Sequence, residues 1–249
     1  MKVTLVSFTQ DADSLLIFSK KTRLNMSPAG LEDIKAMADE QKAEELRYVF
    51  GTIGSSWEFV DYVFLIEGVS RAFTHQLVRH RVGVSFAQQT MRSVDMSEGF
   101  EYIETGKCIG NKVYRDTMGL IKDQYAALVR QGVDIQDARG VLPTNIATNI
   151  LAKFNLRSLS CLLNERLCFK AQGEFQDVAK ELRAEVIKVH PWAEPVLQVN
   201  CVQYGVCKFP NFKECPLRTS GLVRDFDSGA IKKAWESIDL KVQPKGEKK

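Results

Sequence analysis

Ser70-Arg71-Ala72-Phe73-Thr74-His75-Gln76-Leu77-Val78-Arg79-His80-Arg81 runs on into Val82-Gly83-Val84-Ser85-Phe86-Ala87-Gln88-Gln89-Thr90-Met91-Arg92. Together these 23 residues hold four arginines, three glutamines and two of the chain's three histidines. The pattern predicts a helix to about Arg81. On it Gln76, Arg79 and His80 share one side at i, i+3 and i+4. Arg79 and Arg81 point to nearly opposite sides, so they suit two anions, or two parts of a long one, better than one small anion. Guanidinium forks bind phosphate oxygens in pairs and stay charged. Cations are also favoured at a helix C-terminus by the dipole, so a solvated basic helix end is the competing reading. Residues 82–92 mix Gly, Ser and Gln without an apolar period and predict a loop.

Upstream, residues 57–69 are dense in aromatic and β-branched side chains, and 59–66 read as a strand that feeds the basic helix. Residues 2–8 form a first strand, 11–20 a helix, 22–27 a loop, and 31–48 a charged helix with Ile34, Met37, Ala38 and Leu46 inside. Thr52-Ile53-Gly54-Ser55-Ser56 is a small-residue turn. Downstream, 100–106 read as a short strand or turn. Residues 111–133 carry an amphipathic stripe of Tyr114, Met118, Ile121, Tyr125, Leu128 and Val129. Residues 134–139 are a helix fragment ending before Gly140 and Pro143. Residues 144–154 mix strand and helix signals. Residues 156–166 and 175–189 read as helices, the first placing Arg157, Cys161 and Asn164 on one face. Cys161 itself reads as a small buried hydrophobe.

With 249 residues, 45% of them hydrophobic and 26% charged, the chain has an ordinary globular mix and one sizeable core. A formal charge of +3 gives no support to a nucleic-acid or membrane-surface role. No apolar run reaches transmembrane length and no signal peptide is evident, which predicts a cytoplasmic protein with reduced cysteines. Cys201, Cys207 and Cys215 suit a soft metal, with Cys168 or His190 as a fourth ligand. Their spacing lacks the tight knuckle of zinc folds, so reduced structural cysteines are preferred and no metal ligand is assigned. Residues 1–195 read as one domain; 196–249 read as a cysteine-containing extension ending in a polar tail.

Arg79-His80-Arg81 followed by Ser85-Phe86-x-Gln88-Gln89-Thr90-x-Arg92 resembles the signature of flavin-dependent thymidylate synthases. Glu67-Gly-Val-Ser-Arg-Ala72 and His75-Gln-Leu-Val78 match that family's lead-in. Ala138-Arg139-x-Val-Leu-Pro143, Asn155-Leu-Arg157-Ser-Leu, Asn164-x-Arg166 and Ala171-Gln172-x-Glu174 follow in order over roughly residues 50–190. Separate colinear motifs are far more specific than any one of them. The chain departs from the family pattern in places. Ile53 and Phe59 stand where histidines are usual around Ser55 and Glu58, and one extra residue lies between Arg81 and Ser85. Thr90 replaces a serine, Ser93 a tyrosine and Lys170 a histidine.

The resemblance implies an α+β fold, a mainly antiparallel sheet packed with long helices, with residues 144–154 as a strand. It implies an enzyme that reductively methylates dUMP to dTMP through bound FAD, with methylenetetrahydrofolate and NADPH as co-substrates, in a homotetramer. Carried across residue by residue, it assigns FAD to Arg79, His80, Arg81, Gln88, Asn155, Arg157 and Cys161, with Ser55 and Glu58 alongside. It assigns dUMP to Gln76, Arg79, Gln89, Thr90, Arg92, Arg139 and Arg166. Arg166 and Thr90 become the residues nearest the chemistry. The departures also leave open hydroxymethylation of a pyrimidine nucleotide, or a non-catalytic flavin- or nucleotide-binding protein. No Gly-x-Gly-x-x-Gly fingerprint is present, so a flavin would not sit in a dinucleotide-binding βαβ unit.

Overall fold

The computed structural model describes residues 1–24, 30–52, 54–209, 212–219 and 224–225. Of the expected loop at 22–27, residues 22–24 are helical instead, continuing the first helix, and 25–27 lie outside the described residues, as do the Ser27-Pro28 helix start, Ile53 and residues 226–249 of the tail. The chain divides into two compact units, Met1–Val199 and Asn200–Lys249.

In the first unit, β1 (Lys2–Phe8) leads to α1 (Ala12–Leu24), α2 (Leu31–Lys35) and α3 (Asp39–Phe50). A helical turn at Gly54–Phe59 precedes β2 (Asp61–Ser70), α4 (Arg71–Leu77) and β3 (Val84–Gln88). Then come α5 (Lys112–Arg130), α6 (Ile135–Ala138), β4 (Ala147–Asn155), α7 (Leu156–Arg166) and α8 (Gly173–Val189). The strands form one sheet in the order β1-β2-β4-β3, every neighbour antiparallel. This is the expected α+β class.

Alternation builds the core. Tyr62, Phe64 and Ile66 of β2 and Ile150, Ala152 and Phe154 of β4 are all buried on one face. Leu16 and Ile17 of α1, Leu159 and Leu162 of α7, and Val178 and Leu182 of α8 close over them. The β2–β4 register slips between Ile66 and Val69, where Gly68 takes φ +64°. That bulge lets Val69 and Ser70 both be buried, and it turns the chain from sheet into α4.

Four further sequence expectations change. The basic helix stops at Leu77: Arg79 and His80 donate to the Gln76 and Leu77 carbonyls in tight turns, so the one-sided set of Gln76, Arg79 and His80 does not form. Residues 84–88 are an edge strand, not loop; Val84, Phe86 and Gln88 alternate inward and pair with β4. The predicted strand over 59–66 begins at Asp61 and runs on to Ser70. The helix over 31–48 is two helices. A straight helix would set Ile34 and Leu46 about 120° apart, whereas the break lets both be buried.

The second unit contains a helix at Asn200–Tyr204 and a two-residue parallel pairing of Val206–Cys207 with Arg224–Asp225. Cys201, Cys207 and Cys215 are buried thiols. Among the described residues no group of three or more His, Cys, Asp or Glu is placed to hold a metal, and no helix is long and apolar enough to cross a membrane.

Candidate functional site

Ser70, fully buried at the end of β2, caps α4: its hydroxyl oxygen accepts from the Phe73 amide at 3.0 Å. The next two amides are tied to the approach to β4, with Arg71 N donating to Ile146 O at 3.1 Å and Ala72 N to Thr144 O at 2.8 Å. These bonds set α4 beside residues 139–144, and a cavity of about 850 Å³ opens between them.

Arg71, Thr74, His75 and Gln76 of α4 face Arg139 across this cavity, with Gln88 and Met91 on its wall. Burial, and then the neighbouring Arg139 charge, lower the Arg71 pKa. Two guanidiniums sharing a cavity repel each other, and an anion between them reverses the sign of that interaction. Arg71 Nη1 donates to a carbonyl, Gln89 O, at 3.3 Å. Gln88 projects inward and donates to Thr74 Oγ1 at 2.9 Å. Gln88, assigned to FAD by the resemblance, lines the same cavity as Gln76 and Arg139. Gln89, Thr90 and Arg92 are exposed beside it; Thr90 Oγ1 accepts from the Arg92 amide at 3.1 Å, and Arg92 Nε donates to Gln136 at 3.3 Å.

Arg79 and Arg81 are exposed, and neither has a carboxylate partner among the described residues. His80 between them is half-buried. Burial first, then the positive charge of Arg166, lower its pKa, with Glu165 opposing, so the imidazole is favoured neutral. Arg166 closes α7 with its Cζ 4.5 Å from the centroid of the Phe175 ring. Its Nε is buried without a hydrogen-bond partner among the described residues. A buried, unused guanidinium donor is costly unless a ligand oxygen completes it.

A further group lies at the start of α7. Arg157 Nη1 donates to Glu58 Oε1 at 2.6 Å, and the exposed Ser55 lies next to Gly54, whose missing Cβ would approach Arg157 Nε at 3.8 Å. Phe59, at one of the replaced histidine positions, is 62% exposed. Asn155 serves the fold directly, since its Oδ1 caps α7 through the Ser158 amide at 2.8 Å. Its Nδ2 fills the space of a side chain at Gly83, where φ is +66°. Ser158 Oγ donates to Val82 O at 2.5 Å, so the chain just after Arg81 is clasped to the head of α7. Cys161 is exposed, against the expected buried hydrophobe, while Asn164 on the same helix is buried and donates to Ser160 O and Gln198 O. Burial therefore divides the predicted common face of Arg157, Cys161 and Asn164.

Sequence reasoning assigned no role to Arg71, Thr74 and His75. The available signal was helical spacing: Arg71, Thr74 and His75 lie at i, i+3 and i+4.

The fold and cavity define the class first, an α+β protein with the Arg71 and Arg139 guanidiniums lining one cavity. The family model described as thymidylate synthase complementing protein matches residues 4–192. A flavin-dependent thymidylate synthase of Sulfurisphaera tokodaii is 33% identical over 213 residues, covering 81% of this chain and 79% of that one. Its counterpart in Geobacter sulfurreducens is 32% identical over 198 residues, covering 77% of this chain and 84% of that one. The crystal structure of flavin-dependent thymidylate synthase ThyX from Helicobacter pylori, complexed with FAD and dUMP, superposes with a TM-score of 0.63 at 21% identity. It covers 80% of this chain and 100% of that chain and shows the shared fold. The chain belongs to the flavin-dependent thymidylate synthase family.

Proposed function

We propose that this enzyme reductively methylates dUMP to dTMP, with methylenetetrahydrofolate as one-carbon donor and NADPH as reductant of a bound FAD. The observation that carries the reading is the convergence of Arg71 and Arg139 on a cavity walled by Gln76 and Gln88. A nucleotide monophosphate supplies what this cavity asks for: a dianion for the guanidiniums and amide-like edges for the glutamines. The similarity to proteins named flavin-dependent thymidylate synthase supports the reading.

The donor set fits a flavin dinucleotide. Arg79 and Arg81 have no carboxylate partners among the described residues and suit its pyrophosphate; Arg157, with Ser55, Glu58, Asn155 and Cys161 nearby in sequence or space, suits the rest. When bound, the flavin supplies the redox chemistry. The chain's own residues bind and orient. Arg71 and Arg139 hold the phosphate, with Gln89, Thr90 and Arg92 beside them. Arg166, whose buried Nε–H has no hydrogen-bond partner among the described residues, is the cation assigned to the pyrimidine ring, where it would stabilise developing negative charge. His80, kept neutral, adds no further positive charge that would compete for that role. The assembly is a homotetramer; α5 exposes Val113 and Leu120, apolar side chains suited to a subunit contact.

The test is the mass of the product formed anaerobically from dUMP, methylenetetrahydrofolate, NADPH and added FAD. A dTMP mass is expected. A hydroxymethylated nucleotide, or bound flavin without turnover on dUMP, overturns the reading.

A further inference from the structure

Helix α4 has seven residues, too few to hold together alone, yet five of them, Arg71, Ala72, Thr74, His75 and Gln76, line the cavity. Its placement has to come from elsewhere. Ser70 already caps it by accepting from Phe73 N, so the cap alone needs no further partner. Nevertheless Glu174, in the first turn of α8, grips Ser70 twice: Oε1 accepts from Ser70 N at 2.6 Å and Oε2 from Ser70 Oγ at 2.6 Å. The one hydroxyl proton of Ser70 is thereby committed to Glu174 and a lone pair to Phe73 N, which fixes the rotor. Charge-assisted bonds of this length are about twice as strong as neutral ones. The same end of α8 reaches the far end of α4, where Gln172 Oε1 accepts from Gln76 Nε2 at 3.3 Å. Phe175, the next residue, carries the Arg166 guanidinium on its ring and packs edge-on against Phe73 of α4 at 4.8 Å. Three neighbouring side chains, Gln172 just ahead of α8 and Glu174 and Phe175 in its first turn, thus bear on α4 and on Arg166.

We infer that Glu174 is a positioning residue of the nucleotide site: through Ser70 it fixes α4 so that Arg71 and Gln76 stand in binding register with Arg166. The inference rests on the proposed reading of the cavity as the dUMP site. Glutamine at 174 keeps the shape but turns one acceptor into a donor. Either Ser70 Oγ then accepts from both Phe73 N and the new amide, leaving its own proton unplaced, or the double grip is lost.

The test uses full-length protein loaded with FAD. E174Q is expected to raise the dUMP Kd and KM about tenfold, with kcat within about twofold and flavin per protomer unchanged. S70A is expected to shift KM in the same direction. The double variant should be no worse than the worse single one, because both act on one link. Unchanged dUMP affinity in E174Q, additive effects in the double variant, or loss of flavin in parallel with nucleotide affinity would overturn the inference. If E174Q does not fold, S70A, which keeps the Glu174 bond to the Ser70 amide, carries the same readouts. Wild-type protein that binds no dUMP would sink the functional reading instead. The positioning role is then decided without ligand: amides 73–77 exchange faster in E174Q than in wild type, and equal exchange rejects it.

Discussion

Arg71 and Arg139 face one cavity, and the charge of Arg139 joins burial in lowering the Arg71 pKa. Such a pair is unfavourable in the free protein and favourable once an anion bridges it. Arg139→Ala should therefore weaken dUMP binding by about tenfold to a hundredfold while barely changing the binding of deoxyuridine, which lacks the phosphate. Calorimetric titration of both ligands into wild type and variant checks this. Equal losses for the two would move Arg139 away from the phosphate.

Arg166 offers a buried Nε–H that has no hydrogen-bond partner among the described residues. Its guanidinium rests on Phe175, so removing it costs some packing, but the lost donor matters more for the reaction. Arg166→Ala should lower turnover by about a hundredfold or more and lower Tm only a few degrees. Paired steady-state kinetics and thermal melts decide the point; near-normal turnover removes Arg166 from the site.

Gly83 has φ +66°, and a Cβ there would fall 2.3 Å from Asn155 Nδ2 and 2.4 Å from Ser158 Oγ. Both partners are held, Asn155 as the α7 cap and Ser158 by its bond to Val82 O. Gly83→Ala should cost roughly 2 kcal/mol or more. It should also loosen flavin retention, because the same clasp follows Arg81 directly. Urea unfolding gives the first quantity and flavin absorbance after gel filtration the second.

His190 is buried against Phe8 and Trp192, with its Nδ1 hydrogen-bonded to the Tyr62 hydroxyl at 2.9 Å. Burial lowers the His190 pKa, with Asp13 weakly opposing, and raises that of Tyr62, so the pair is neutral. A histidine with a depressed folded pKa takes up its proton more readily when unfolded. Its contribution to stability is full above the unfolded value of about 6.5 and is lost as pH falls from there through the folded value. Wild-type Tm should drop on acidification from pH 7.5 to 5. The drop should be shallower in His190→Gln, with the remainder including His80, whose pKa is also lowered. Parallel Tm–pH curves for the two proteins would contradict this account.

Much of the architecture was legible locally. The helix over 156–166 is found with the expected limits as α7, because Asn155 is a strong cap and the apolar period is clear. The strand around 144–154, implied by the family pattern, is β4. Local pattern failed where a distant partner decides. Val84 and Phe86 alternate as a strand should, but five residues bounded by Gly83 and Gln89 are strand only because β4 offers an edge to pair with. Nothing between Ile34 and Leu46 resembles a breaker; the helix parts there because both side chains seek one core.

The sequence by itself determined the family, the α+β class and most of the polar residues that gather at the site, because motif order and hydrophobic period are properties of the chain alone. It could not decide which of those residues meet. Only tertiary structure brought Arg71 to Arg139, moved Gln88 into their cavity, and seated Glu174 on Ser70 from 104 residues away. Such contacts follow from sheet register and helix packing, which bring together groups that no local spacing relates.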